Sequence, residues 1–198
     1  MAKLYFSYAA MNAGKTTILL QASHNYRERG MNTMLLTARL DDRVGEGRIG
    51  SRIGLEAAAF VFDGDTDMAL MIATQNDAAP LACVLVDEAQ FLTPAQVDDL
   101  LRIVVDDGIP ALAYGIRTDF QTHAFPGSRR LMELAHSLEE LKTICRCGRK
   151  ALFNARLVGG RFVFNGDQVA IDELSSERVT YESMCAECYL RESGGLLG

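Results

Sequence analysis

An α/β fold is predicted, with a mainly parallel sheet over residues 1–137 and a small second unit over 138–198. Three features carry that expectation. Residues 8–18, Tyr-Ala-Ala-Met-Asn-Ala-Gly-Lys-Thr-Thr-Ile, join an apolar run to a helix start through small residues. Residues 81–88, Leu-Ala-Cys-Val-Leu-Val-Asp-Glu, form an apolar run that ends in two acids. Two close cysteine pairs, Cys145 with Cys147 and Cys185 with Cys188, stand in the last third.

The first feature has the chemistry of a phosphate cradle. A strand that stops, a loop whose N–H groups can turn inward and a helix N-terminus together concentrate positive potential. Ala9, Ala10, Ala13 and Gly14 are small enough for that loop, Lys15 can reach the β and γ phosphates, and the Thr16 hydroxyl can hold magnesium. The usual pattern opens with Gly five residues before Gly14, where this chain has Ala9. Taken alone, Gly14-Lys15-Thr16 is also compatible with an ordinary helix start, so the rest of the chain decides.

Leu4 to Tyr8 reads as a buried strand. The helix that follows is expected from 15 to about 29, with Ile18, Ala22 and Tyr26 on one face and Gly30 as its stop. Thr33 to Ala38 is the next strand, and this order favours a parallel pair with a right-handed crossover. Residues 39–54 carry four glycines and four arginines with no hydrophobic face. That stretch reads as a loop able to order on a ligand, with Arg43, Arg48 and Arg52 as candidate phosphate contacts. For each arginine a solvated connector is the alternative. A strand at Phe60–Phe62 and a short helix over 65–75, with Met68, Leu70, Met71 and Ile72 apolar, come next.

The acidic strand decides between the readings of the loop. Ligands of an open parallel sheet bind at the C-terminal edge of its strands. Asp87 is thereby delivered to the magnesium shell beside Thr16, and Glu88 is placed to accept a proton from a substrate hydroxyl. A phosphate loop and an Asp-Glu strand end in one chain are far rarer by chance than either alone. Thr93-Pro94-Ala95-Gln96 then starts a helix, with Thr at the cap and Gln three positions later, running to Asp107-Gly108. Pro110 to Tyr114 is expected to be the last strand of the main sheet.

Residues 115–127 form a loop holding Phe120, Phe125 and His123, followed by a helix over 128–135. The two phenylalanines either stack on a base or tuck into the core. His24, His123 and His136 lack partners at metal-ligand spacing and read as structural or solvated. Thirty-seven residues separate Cys147 from Cys185, and strand-like sequence at 138–144, 151–158 and 161–164 backs the cysteine pairs. Close pairs brought together by short strands are what a tetrahedral structural zinc requires, with unpaired buried thiols as the alternative. Cys83, inside the apolar strand, reads as core.

Composition narrows the class. With 198 residues, 48% hydrophobic and 23% charged, the chain can build one substantial core and a small appendage. A net charge of −6 argues against a general nucleic-acid surface. No apolar run reaches the ~20 residues of a membrane span, and Met1-Ala2-Lys3-Leu4 lacks the features of a signal peptide. A cytoplasmic protein is expected, with no membrane or nucleic-acid partner, and five cysteines there are not a disulfide framework.

Together, Met-Asn-Ala-Gly-Lys-Thr, Val-Asp-Glu-Ala-Gln-Phe, Tyr-Gly-Ile-Arg-Thr-Asp-Phe, Leu-Lys-Thr-Ile-Cys-Arg-Cys-Gly-Arg-Lys-Ala and the Tyr181-x-x-x-Cys-x-x-Cys-Tyr ending resemble the bacterial branch of the type II thymidine kinases, in order from the N-terminus to about residue 190. The resemblance implies a RecA-like P-loop domain, a zinc-ribbon-like domain with a lasso loop over the nucleoside, and a homotetramer. It implies transfer of the ATP γ-phosphoryl group to the 5′-hydroxyl of thymidine or deoxyuridine, with feedback by thymidine triphosphate.

Carried onto this sequence, it makes Glu88 the general base and gives ATP and magnesium Ala9, Met11, Asn12, Ala13, Gly14, Lys15, Thr16, Thr17, Asp41, Arg43, Asp87 and Gln90. Met11, Phe91, Ile116, Phe120 and Phe125 become apolar walls of a nucleoside pocket, with Asn154, Ala170, Ile171, Asp172 and Tyr181 near the base or sugar. Zinc falls to Cys145, Cys147, Cys185 and Cys188. Where the family carries Ile-Gly-Gly, this chain reads Ile171-Asp-Glu-Leu-Ser-Ser-Glu-Arg-Val-Thr-Tyr181, longer and without glycine, and Ala186 replaces a common basic residue. The alternative function is a P-loop ATPase or transferase acting on a different small substrate, which would have no need of a nucleoside-sized aromatic loop.

Overall fold

The computed structural model describes residues 1–41, 44–168 and 178–197. Strand β1 (Leu4–Tyr8) buries Leu4 and Phe6 completely and stops at the small-residue loop. Helix α1 (Lys15–Glu28) follows and buries Lys15, Leu19, Leu20 and Ser23. The expected inner face was set too far round: Ile18 is exposed, and Ala22 and Tyr26 are only half-buried. Turning Lys15 inward at the loop fixes the rotation of the helix, so the positions four, five and eight residues on meet the sheet.

The remaining strands of the large sheet are β2 (Asn32–Ala38), β5 (Phe60–Phe62), β6 (Leu81–Val86), β7 (Ala111–Gly115) and β8 (Ser137–Glu140). Their order is β5-β2-β6-β7-β1-β8, and every neighbouring pair is parallel. β7 lies between the phosphate-loop strand β1 and the acidic strand β6, which is a RecA-like arrangement. Both strand ends therefore open on one edge of the sheet. The core between sheet and helices holds Phe6, Met34, Leu36, Phe62, Val84, Val86, Val97 and Leu100.

Helices α2 (Met68–Ala78), α3 (Pro94–Arg102) and α4 (Pro126–Leu134) cover the sheet. α2 buries Met68 and Ile72 and is capped by Asp67, whose side chain accepts from the Leu70 N–H. The Thr93 capping box forms as expected, with Gln96 reaching back to the Thr93 N–H. α3 then widens into a π-type turn over Ile103–Asp107 before Gly108 ends it.

Two expectations are corrected. Residues 39–54 are not a structureless loop: β3 (Arg48–Gly50) pairs antiparallel with β4 (Glu56–Ala58), burying Ile49. Arg48 spends its guanidinium on Glu56 at 2.8 Å within that ribbon. Pro110 to Tyr114 is also not the last strand of the sheet, because β8 pairs with β1 and extends it. β8 reads Ser-Leu-Glu-Glu, and its charges suit an edge position better than a strand inside the cysteine unit.

The small unit is a three-stranded antiparallel sheet, β10 (Arg161–Val163), β9 (Phe153–Val158) and β11 (Val179–Met184) in that order, followed by helix α5 (Ala186–Ser193). Its core packs Ala151, Ala155, Met184, Tyr189 and three of the cysteines against Ala10 of the phosphate loop. Among the described residues no helix is long and apolar enough to cross a membrane.

Candidate active site

The loop between β1 and α1 is held from both sides. The Ala9 N–H donates to the Gly115 carbonyl at 3.3 Å, so Ala9 closes the loop onto β7 and has no free amide for a ligand. Asn12 and Gly14 take left-handed backbone, φ 65° and 76°, which turns the chain into the helix. Lys15 Nζ donates to the Ala10 carbonyl at 3.1 Å, lying along the inside of the loop. Met11 is gripped by the small unit: its N–H donates to Asn154 Oδ1 at 2.7 Å, and its carbonyl accepts from Ser183 Oγ at 2.6 Å.

At the end of β6, Asp87 Oδ2 accepts from the Thr16 hydroxyl at 2.9 Å. Burial first, and then the charge of Glu88, push the Asp87 carboxyl up to about 7, against the Thr16 hydrogen bond. Its second oxygen, Oδ1, is buried with no hydrogen-bond partner among the described residues. Carboxylate oxygens of Asp41, Asp87 and Glu88 lie within 4.8 Å of one another. An orphaned buried oxygen within an acidic cluster beside a threonine hydroxyl is a donor set that fits a hard divalent ion.

Glu88 sits at φ 50°, ψ 39°, a left-handed backbone that costs a non-glycine residue energy. Gln90, 2% exposed, donates through Nε2 to Glu88 Oε2 at 2.5 Å and accepts the Ile116 N–H at 3.1 Å. A Cβ on Gly115 would stand 2.8 Å from Gln90 Oε1, so glycine is needed there for this fit. Glu88 is thus aimed by its neighbours.

The phosphate loop from Met11 to Thr17, Asp41, Glu88 and Gln90 line one cavity of about 760 Å³. At one end stand Asn12 to Thr17, Asp41 and Arg52; at the other stand Phe91, Ile116, Phe120, Phe125 and Tyr181; Met11, Glu88 and Asn154 also line it. Phe120 and Phe125 are both buried and both form cavity wall, with Phe91 edge-on to Phe125 at 5.8 Å. Ala9 and Asp87 lie behind the lining. Arg43, Ala170, Ile171 and Asp172 lie outside the described residues. Asp119, Gln168 and Arg156 were not foreseen. Asp119 Oδ1 accepts the N–H groups of Gln121 and His123, shaping the turn that carries Phe120, while Oδ2 accepts from Gln168 at 2.9 Å. Asp119 lies in the Tyr-Gly-Ile-Arg-Thr-Asp-Phe run. Arg156 was visible as the second polar residue, two after Asn154, in an otherwise apolar strand.

The four cysteines of the small unit also converge. Sγ atoms of Cys145, Cys147, Cys185 and Cys188 all lie within 4.8 Å of one another, and Cys147 and Cys185 approach to 3.6 Å. Zinc–sulfur bonds of ~2.3 Å in a tetrahedron require sulfurs spaced at roughly 3.8 Å, so the set fits a zinc ion. The one-residue gap between Cys145 and Cys147 does not prevent convergence. Tyr189, next to Cys188, donates its hydroxyl to the Phe120 carbonyl at 2.7 Å and links this cluster to the aromatic wall.

A RecA-like sheet, a lysine- and threonine-bearing phosphate loop, and a carboxylate aimed between that loop and an aromatic pocket define a P-loop kinase of a small, ring-bearing substrate. The sequence model of the family described as thymidine kinase matches residues 2–189. The thymidine kinase of Ruegeria pomeroyi is 53% identical over 196 residues, covering 98% of this chain and 96% of that protein. The thymidine kinase of Shewanella oneidensis is 53% identical over 93% of this chain and 95% of its own length, and that of Rhizobium etli 50% identical over 98% and 96%. The chain belongs to the thymidine kinase family.

Proposed function

We propose that the protein transfers the γ-phosphoryl group of ATP to the 5′-hydroxyl of thymidine or deoxyuridine. The observation that carries this reading is the single cavity in which the phosphate-loop residues and the aromatic wall meet at Glu88. Amides of the loop and Lys15 hold the β and γ phosphates, while Met11, Phe91, Ile116, Phe120, Phe125, Asn154 and Tyr181 enclose the nucleoside. Glu88 takes the proton of the 5′-hydroxyl as its oxygen attacks the γ-phosphorus. The bond to the β–γ bridging oxygen breaks, and ADP and the nucleoside monophosphate leave. Thr16, Asp87 and Asp41 would hold magnesium, which when bound neutralises phosphate charge. Cys145, Cys147, Cys185 and Cys188 would hold structural zinc.

Family membership also supports a cytoplasmic homotetramer inhibited by thymidine triphosphate, which sedimentation and inhibition kinetics check. The main test is ADP release from MgATP with and without each nucleoside. Release that depends on thymidine or deoxyuridine is expected. Equal release without any nucleoside would favour an ATPase and remove the substrate assignment.

A further inference from the structure

Arg156 lies in β9, 4% exposed, on the same side as Asn154 by the two-residue alternation of a strand. Its guanidinium carbon stands 3.7 Å from the centroid of the Phe120 ring and 5.7 Å from that of Tyr181. Nε donates to the Tyr181 hydroxyl at 3.1 Å, and Nη2 donates to the Gln168 carbonyl at 3.0 Å. Among the described residues its partners are a ring face, a hydroxyl and a carbonyl. Gln168 returns the tie by donating its side chain to Asp119, which shapes the turn that carries Phe120. Phe120, Gln168 and Tyr181 line the cavity, whereas Arg156 stands behind them.

One planar cation therefore joins three separate stretches of chain: the loop bearing Phe120, Gln168, and strand β11 at Tyr181. We propose that Arg156 is a positioning residue for the nucleoside, fixing Phe120 and Tyr181 in one arrangement by tying both of them, and Gln168, to one guanidinium behind the aromatic wall. The inference rests on the cavity being a nucleoside site. A guanidinium is required because stacking and two divergent hydrogen bonds are made at once, which a single ammonium cannot do. Holding the wall before the ligand arrives removes an ordering cost from binding, so the effect belongs in nucleoside affinity and not in ATP affinity.

The experiment is steady-state kinetics on the full chain, wild type against R156M, R156K, Y181F and the R156M/Y181F pair, varying thymidine and ATP separately. R156M and R156K are each expected to raise the thymidine KM tenfold or more while the ATP KM stays within twofold. Y181F should produce part of that rise, and adding it to R156M should change little, because the two residues act through one tie. R156K keeps the charge and most of the volume, so it carries the test if R156M fails to fold. A thymidine KM within twofold of wild type in R156K overturns the inference, as does an equal rise in the ATP KM or full multiplication of the two effects in the pair. Wild-type protein without thymidine-dependent ADP release would instead overturn the functional reading, and this inference with it.

Discussion

The phosphate end and the nucleoside end of the cavity are built in opposite ways. The phosphate end sits on strands β1, β6 and β7, whose buried residues pack into the cores on the two faces of the large sheet, and its key groups come from Asp41 and two short runs, 9–17 and 87–90. At the nucleoside end, residues 91, 116, 120 and 125, from segments that follow β6 and β7, meet residues 154 and 181 of a small sheet whose core is mostly alanine, cysteine and a few aromatics. The first is stabilised by burial; the second depends on cross-links, namely the thiol cluster, Arg156, and the Asn154 and Ser183 grips on Met11. Chemistry should therefore fail when the first end is altered, and affinity when the second is.

The sharpest way to break that division is at Glu88. E88Q keeps the shape and an acceptor for Gln90 but removes the base, so turnover should fall by about 10² to 10⁴ with the ATP KM unchanged. Single-turnover kinetics check it, and near-normal turnover would remove Glu88 from the role. At the other end, C188S takes one ligand from the cysteine cluster. The expected outcome is loss of bound zinc, a lower melting temperature and a thymidine KM raised about tenfold, or roughly 1.4 kcal/mol, carried to the wall through Tyr189 and Phe120. Metal analysis finding no zinc in the unmodified protein would sink this prediction.

The same division explains what the sequence made legible. A phosphate loop and an acidic strand end are contiguous, and their spacing encodes their geometry, so Lys15, Thr16, Asp87 and Glu88 could be read directly. The four cysteines were legible because few arrangements satisfy close thiol pairs. The role of Arg156 was not, because its three partners come from residues 120, 168 and 181; its place two after Asn154 in an otherwise apolar strand marks it without saying what it meets. Ile18 failed for a related reason: apolar spacing gives the stripe of a helix, but the rotation of that stripe was set by Lys15 turning into the loop. β8 was read as strand-like but given to the cysteine unit, because an edge strand of Ser-Leu-Glu-Glu lacks the apolar run by which strands of the buried sheet are recognised.

Two smaller changes sharpen the comparison. S183A deletes the hydrogen bond to the Met11 carbonyl, a net loss of about 1 kcal/mol. Because Met11 belongs to the phosphate loop and lines the cavity, kcat/KM should fall for ATP and thymidine together, by roughly fivefold on the same scale. An effect confined to thymidine would place Met11 wholly in the nucleoside end.

T93A is the control for the other half. It removes the α3 cap and its capping box and should cost about 1 kcal/mol of stability, seen as a lower denaturant midpoint. Thr93 is not part of the cavity lining, and the strands that carry the phosphate loop and Glu88 do not depend on its hydroxyl. Both KM values and kcat should therefore stay within twofold of wild type at a temperature where the variant remains folded. If thymidine KM rises in T93A as it does in C188S, the C188S effect is a general consequence of lowered stability and the cysteine cluster loses its specific link to the aromatic wall. If it does not, a comparable loss of stability in two places has separable kinetic consequences, and the Tyr189–Phe120 hydrogen bond is what distinguishes them.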